Sequence, residues 1–103
     1  MQERRQFSRI LFSTDAHIIF QENEYPCTLL DISLHGALVS KCDVLNDQIE
    51  NDAVLRFILP DSEIEIKMET TICHIEANHI GLKCKHIDID SISYLKRLIE
   101  LNL

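Results

Sequence analysis

The stretch from Glu63 to Glu76, EIEIKMETTICHIE, limits the possible folds more than any other part of the chain. Ile64, Ile66, Met68, Thr70 and Ile72 fall on one side of a two-residue period, and Glu63, Glu65, Lys67 and Glu69 fall on the other. A helix would scatter these apolar groups around its circumference, whereas a strand gathers them on one face. One wet face and one dry face indicate an antiparallel sheet, because parallel strands are covered on both sides. Such a strand needs paired neighbours and something to cover its dry face.

The rest of the sequence supplies both. AHIIFQ places Ala16, Ile18 and Phe20 on one face. YPCTLLDIS reads as an apolar strand, with Pro26 near its start where a missing N–H is tolerated. GALVS follows a short break at Leu34-His35-Gly36, and VLRFILP ends at Pro60 before the turn residues PDSE. EANH is a turn, and IGLKCKHI alternates again, with Ile80, Leu82 and Cys84 inward. The last two strands therefore form a hairpin. KCDVLNDQIEND is polar and is read as a loop or a single helical turn. The tail DSISYLKRLIELNL changes period: Ile92, Leu95, Leu98 and Ile99 form a helical stripe, with Asp90 or Ser91 as its cap. The expected fold is all-β with a C-terminal helix: a small six-stranded antiparallel β-barrel.

At 103 residues the chain is expected to form one domain. Its hydrophobic share of 46% is sufficient for an ordinary core. No apolar run approaches the roughly 18 residues of a membrane span, and the charged start is unlike a signal peptide. The expectation is a cytoplasmic protein that does not engage a membrane. Its cysteines, Cys27, Cys42, Cys73 and Cys84, show no close pairing and are read as thiols packed like small hydrophobes. A formal net charge of -7 argues against long nucleic acid as a partner.

Against that acidity, Arg4, Arg5 and Arg9 concentrate three of the five arginines in RRQFSR. Arg5 and Arg9 are four apart, so they share a side whether the segment is helical or extended. Two guanidinium forks can then meet one ligand, gripping phosphate or the O6/N7 edge of guanine. A second cluster lies in DISLHG. Asp31 and Ser33 are two apart on a strand and point to one face, while Gly36 permits either a positive φ or a close backbone approach. Together they offer acceptors for a guanine N1/N2 edge and a donor for phosphate. The plainer reading is a solvated basic end beside a strand end that satisfies its own turn amides.

In this order, Arg5-Gln6-Phe7-Ser8-Arg9 and then Asp31-Ile32-Ser33-Leu34-His35-Gly36, the two stretches resemble the RxxxR and [D/N]xSxxG motifs of the PilZ domain family. The likeness extends to the six strands, the late IGLKC strand and the terminal helix. It implies a barrel that binds cyclic di-GMP, a bacterial second messenger. By the resemblance, Arg5 and Arg9 grip the ligand from a mobile arm over residues 1–12, and Asp31, Ser33 and Gly36 receive it on a barrel spanning 13–103, with its helix from about 90. Arg4 matches a position at which an extra arginine suits an intercalated ligand dimer, and so two ligands per chain. The output would be ordering of the arm, read by a downstream protein effector. Some family members instead act as protein adaptors without the ligand.

Other chemistry is not expected. Cys73-His74 and Cys84-Lys85-His86 lack zinc-type spacing, and adjacent strand residues point to opposite faces, so the reading assigns no metal and no cofactor. Asp31, Ser33 and His35 lie close in sequence, but no G-x-S-x-G elbow is present, and with only Gly36 and Gly81 there is no glycine-rich phosphate loop. No catalytic residue is assigned. A barrel for single-stranded nucleic acid would want aromatic platforms on basic strands, and four Phe and two Tyr on largely acidic strands do not provide them.

Overall fold

The computed structural model describes residues 10–59 and 62–101, with side chains for 13–59 and 62–100. Six strands appear in chain order: β1 (Ile10–Phe20), β2 (Asn23–Ser33), β3 (Gly36–Ser40), β4 (Asp52–Ile58), β5 (Glu65–Ile75) and β6 (His79–Ile87). Around the barrel the order is β1-β2-β3-β6-β5-β4, and β4 closes back on β1. All neighbours are antiparallel, and closure leaves no edge to template aggregation.

The alternation works as the sequence requires. Ile66, Met68, Thr70 and Ile72 of β5 are all fully buried, while Ile64, just before the strand, is half-buried. The one polar member of that row is satisfied, because the Thr70 hydroxyl donates to the Ala53 carbonyl at 2.7 Å. Ala16, Ile18 and Phe20 of β1 meet Leu55 and Phe57 of β4 in the same core. α1 (Ile89–Leu101) lays Leu95 and Ile99 into that core and packs against β5. The polar segment before β4 contains a single 3₁₀ turn, Asp43–Leu45, whose Leu45 is fully buried.

Three local features differ from the sequence reading. The helix is capped by Asp88, not by Asp90 or Ser91: the Asp88 carboxylate accepts the Ser91 N–H at 3.0 Å. Residue 88 is the last before helical dihedrals begin, so its side chain reaches the third helical N–H. β1 opens at Ile10, inside the stretch expected as an arm, because Ile10 and Leu11 find ladder partners in Ile32 and Asp31. Residues 1–9, with Arg4, Arg5 and Arg9, lie outside the described residues. Finally, Cys73 is exposed, whereas Cys42 is buried and Cys27 and Cys84 are half-buried. Burial, reinforced by Cys42, pushes the Cys27 thiol up to about 12, and burial also raises Cys42 and Cys84. Those three thiols stay protonated and behave as small hydrophobes.

Candidate functional site

The β2–β3 hairpin carries DISLHG and is tied at each step. Ser33 pairs with Gly36 across a two-residue loop. The Ser33 hydroxyl accepts the His35 N–H at 3.1 Å and lies 3.4 Å from the Gly36 carbonyl, to which it donates. The His35 carbonyl accepts the Cys84 N–H at 2.8 Å, which fastens the loop to β6. Of the two roles open to Gly36, the structure selects close approach. Its φ is not positive, and a Cβ there would lie 2.1 Å from the Leu82 carbonyl oxygen.

A bulge in β2 sets the direction of the motif side chains. The ladder runs from Leu29↔Val39 to Asp31↔Leu38, so Leu30 is the extra residue. Leu29 and Ile32, three apart, therefore both face the core with no exposure. Asp31 and Ser33 flank Ile32 on the opposite face, as the two-residue spacing predicts. Both are nonetheless buried, at 4% and 2% exposure. These are held parts of the wall, not free surface groups.

Beside this hairpin lies an open cleft of about 440 Å³. Ser33, His35 and Gly36 line one side; His74, His79 and Gly81 line the other. Its volume falls in the range of roughly 300–1,000 Å³ typical of small-molecule sites. The two glycines lower the wall: a Cβ on Gly81 would meet the His74 ring at 2.2 Å. Three imidazoles provide flat faces and hydrogen-bonding nitrogens. Asp31 is not among the lining residues.

Sequence reasoning found Ser33 and Gly36 but missed His35, His74, His79 and Gly81. The available signal was the hairpin turn EANH, which brings His74 and His79 to one face. The rule that adjacent residues face apart also fails at Cys73 and His74. The β5–β6 register shifts between Ile72 and His74, both side chains are exposed, and Cys73 Sγ lies 3.6 Å from His74 Nδ1. On the same hairpin, His74, Glu76 and His79 bring one ligand-type atom each within 4.8 Å of one another.

A closed antiparallel barrel with a surface cleft beside a clamped hairpin defines a small binding module. The chain belongs to the PilZ domain family, whose match spans residues 3–101. PilZ domains bind ligands or serve as adaptors, so the chain is not an enzyme. Solved structures that share the fold include two proteins of greater length. The Bacillus subtilis inhibitor of motility, MotI/DgrA, superposes with a TM-score of 0.82 at 23% identity, over 96% of this chain and 51% of that one. The Borreliella burgdorferi PlzA protein, solved in complex with c-di-GMP, gives a TM-score of 0.68 at 20% identity, over 90% and 40%. The present chain thus spans about half the length of these proteins or less. No helix among the described residues is long and apolar enough to cross a membrane.

Proposed function

We propose that this domain is a cyclic di-GMP receptor, in which the RxxxR segment and the D-x-S-x-x-G hairpin bind the ligand together on the outside of the barrel. One observation carries the reading. β1 begins at Ile10, immediately after Arg9, and its first residues pair with Ile32 and Asp31. The RxxxR run is therefore tethered next to the second motif, and the effective concentration of its guanidinium groups there is high. Arg5 and Arg9 supply charge-assisted contacts to phosphate and guanine, and Arg4 supplies a contact to a second ligand molecule. Ser33 and Gly36 shape the receiving wall, and Asp31, buried beside them, supports the hairpin that presents it. Ordering of the arm on binding carries the signal to a protein effector in the cytoplasm.

Charge separates this reading from general polyanion binding. A chain of net charge -7 repels long nucleic acid, whereas a few arginines suffice for a ligand with two phosphates. Calorimetric titration with cyclic di-GMP, GTP and cyclic di-AMP tests the proposal. Heat with the first ligand alone supports it, and no heat from folded protein refutes it.

A second reading, an adaptor that acts without the nucleotide, draws on α1. Ile89 is 79% exposed and Tyr94 is 43% exposed there. Apolar groups left in water at a helix start are the kind of anchor a protein partner covers. A silent titration would leave this reading standing.

A further inference from the structure

We propose that the β5–β6 hairpin carries a binding site for a divalent transition metal of the zinc class, formed by His74, Glu76 and His79 at the rim of the cleft.

The hairpin geometry builds the site. The Glu76 N–H donates to the His79 carbonyl at 2.8 Å, closing a tight turn over EANH. Ile75 pairs with Ile80 and His74 with Gly81. Glu76 and His79 are therefore opposite one another, and His74, two residues before Glu76, occupies the diagonal position on the same outer face. Side chains at direct and diagonal cross-strand positions can touch. Gly81 is the residue opposite His74, and its lack of a side chain leaves room for the imidazole to lie flat.

The distances bracket those of a metal site. Zinc bonds of about 2.0–2.2 Å in a tetrahedron place ligand atoms roughly 3.4 Å apart. Here Glu76 Oε1 and His79 Nε2 are 2.6 Å apart, and the widest pair in the trio lies within 4.8 Å. The required spacing falls between these limits. His74 and Glu76 are exposed and His79 is half-exposed, so rotations about side-chain bonds can close the trio without moving the backbone. Two imidazoles and one carboxylate match Zn²⁺, Cu²⁺ or Ni²⁺, while Mg²⁺ and Ca²⁺ would require more oxygen ligands. Three protein ligands leave a fourth position open to water or to an added group.

The other thiols do not compete for this role. Cys27, Cys42 and Cys84 are held protonated by burial. Cys73 Sγ donates to the Gly81 carbonyl at 3.3 Å and stands outside the trio.

The test uses zinc alone and no nucleotide, so it succeeds or fails independently of the receptor reading. Titration of the whole chain with ZnCl₂ should show one zinc per chain, and the Cys73→Ser variant should bind equally well. His74→Ala and His79→Ala should each weaken zinc at least about 10- to 100-fold, the scale on which disturbed metal sites lose affinity. Glu76→Gln keeps the turn and the side-chain volume and should also weaken zinc. Far-UV circular dichroism checks that each variant folds. Unchanged zinc affinity in the His74→Ala, His79→Ala double variant overturns the site. If that variant does not fold, unchanged affinity in Glu76→Gln overturns it instead, and loss of binding in Cys73→Ser assigns the metal to the thiol.

Discussion

The two halves of β5 follow different rules. From Glu65 to Thr71 the strand pairs with β4 residue by residue, Ile58↔Glu65 through to Asp52↔Thr71, and its side chains keep strict alternation even though its ladder with β6 slips once, between Glu69 and Thr70. The outer surface around it carries paired charges: Arg56 of β4 meets Glu24 of β2 and Glu65 of β5, and Lys85 of β6 meets Asp52 of β4 at 2.7 Å. From Ile72 to Ile75 the register with β6 slips, and Cys73 and His74 both turn outward. β2 likewise bulges at Leu30 just before Asp31, Ser33 and the clamped loop. The regular wall buries apolar area and holds the barrel closed. The irregular wall bears the glycines, the imidazoles and the cleft. In a closed barrel, bulges re-aim side chains without breaking the enclosure, and at these two places they set the side chains that surround the cleft.

The sharpest way to break this division is to damage the regular wall and ask whether the cleft notices. Leu55 is fully buried in β4. Leu55→Ala should cost about 2–5 kcal/mol of stability through lost transfer energy and a residual cavity. Urea unfolding measures the loss, and cyclic di-GMP affinity per folded molecule should be unchanged. A large affinity change in protein shown to be folded would mean that the two walls are coupled.

The converse experiment removes the proposed ligand contacts. Arg5→Ala or Arg9→Ala should each weaken cyclic di-GMP about 10- to 150-fold, equivalent to about 1.5–3 kcal/mol per charge-assisted contact. The melting temperature should not move, because a guanidinium group is rarely part of an apolar core. Arg4→Leu should lower the saturating stoichiometry from two ligands towards one, as read by native mass spectrometry. A wild-type titration that saturates at one ligand per chain removes the role given to Arg4.

Gly36 lines the cleft and also packs against the β6 backbone, so its substitution should register in both assays. A methyl group at 2.1 Å from the Leu82 carbonyl faces backbone, which cannot swing aside as a side chain can. Gly36→Ala should therefore force β3 and β6 apart at a cost of about 1–3 kcal/mol. It should also reduce affinity by more than that loss of folded protein explains. Gly36→Ala with wild-type stability would show that the approach of β3 to β6 is looser than 2.1 Å implies.

Much of this plan was legible before any coordinates, but the legible part was mostly the regular wall. Ile66, Met68, Thr70 and Ile72 announced β5 because burial on one face imposes a strict period on sequence. The terminal helix was equally plain from Leu95 and Ile99. The strand order was not, since pairing β3 with β6 and closing β4 on β1 are long-range choices that local periodicity does not encode. The β1–β2 turn left no trace either: Gln21 and Glu22 take φ of 52° and 70°, a conformation usually announced by Asn or Gly. In the site, Ser33 and Gly36 were readable as a motif. His74, Glu76 and His79 were not, because their proximity arises from a hairpin register and a bulge and not from a linear spacing of metal-site type.

The smallest expected effect concerns the helix cap at the start of α1. Hydrogen bonds from Ser91 hold the Asp88 carboxyl below its ordinary value of 3.8, and they do so only while the helix is formed. A carboxyl depressed in the folded state binds its proton more weakly there than in the unfolded chain. Its contribution to stability is thus fully present above the unfolded value and is lost as pH falls through the lower folded one. Asp88→Asn keeps an oxygen that can accept the Ser91 N–H but removes the titration. At neutral pH the variant should melt slightly below the wild type, because it lacks the charge that favours a helix N-terminus. The gap should narrow as pH falls below about 4, where the wild-type carboxyl begins to protonate. Thermal melts of both proteins between neutral pH and about pH 3 measure it. A gap that stays constant would show that Asp88 caps the helix through its shape alone, and cyclic di-GMP affinity should be the same in both proteins at neutral pH.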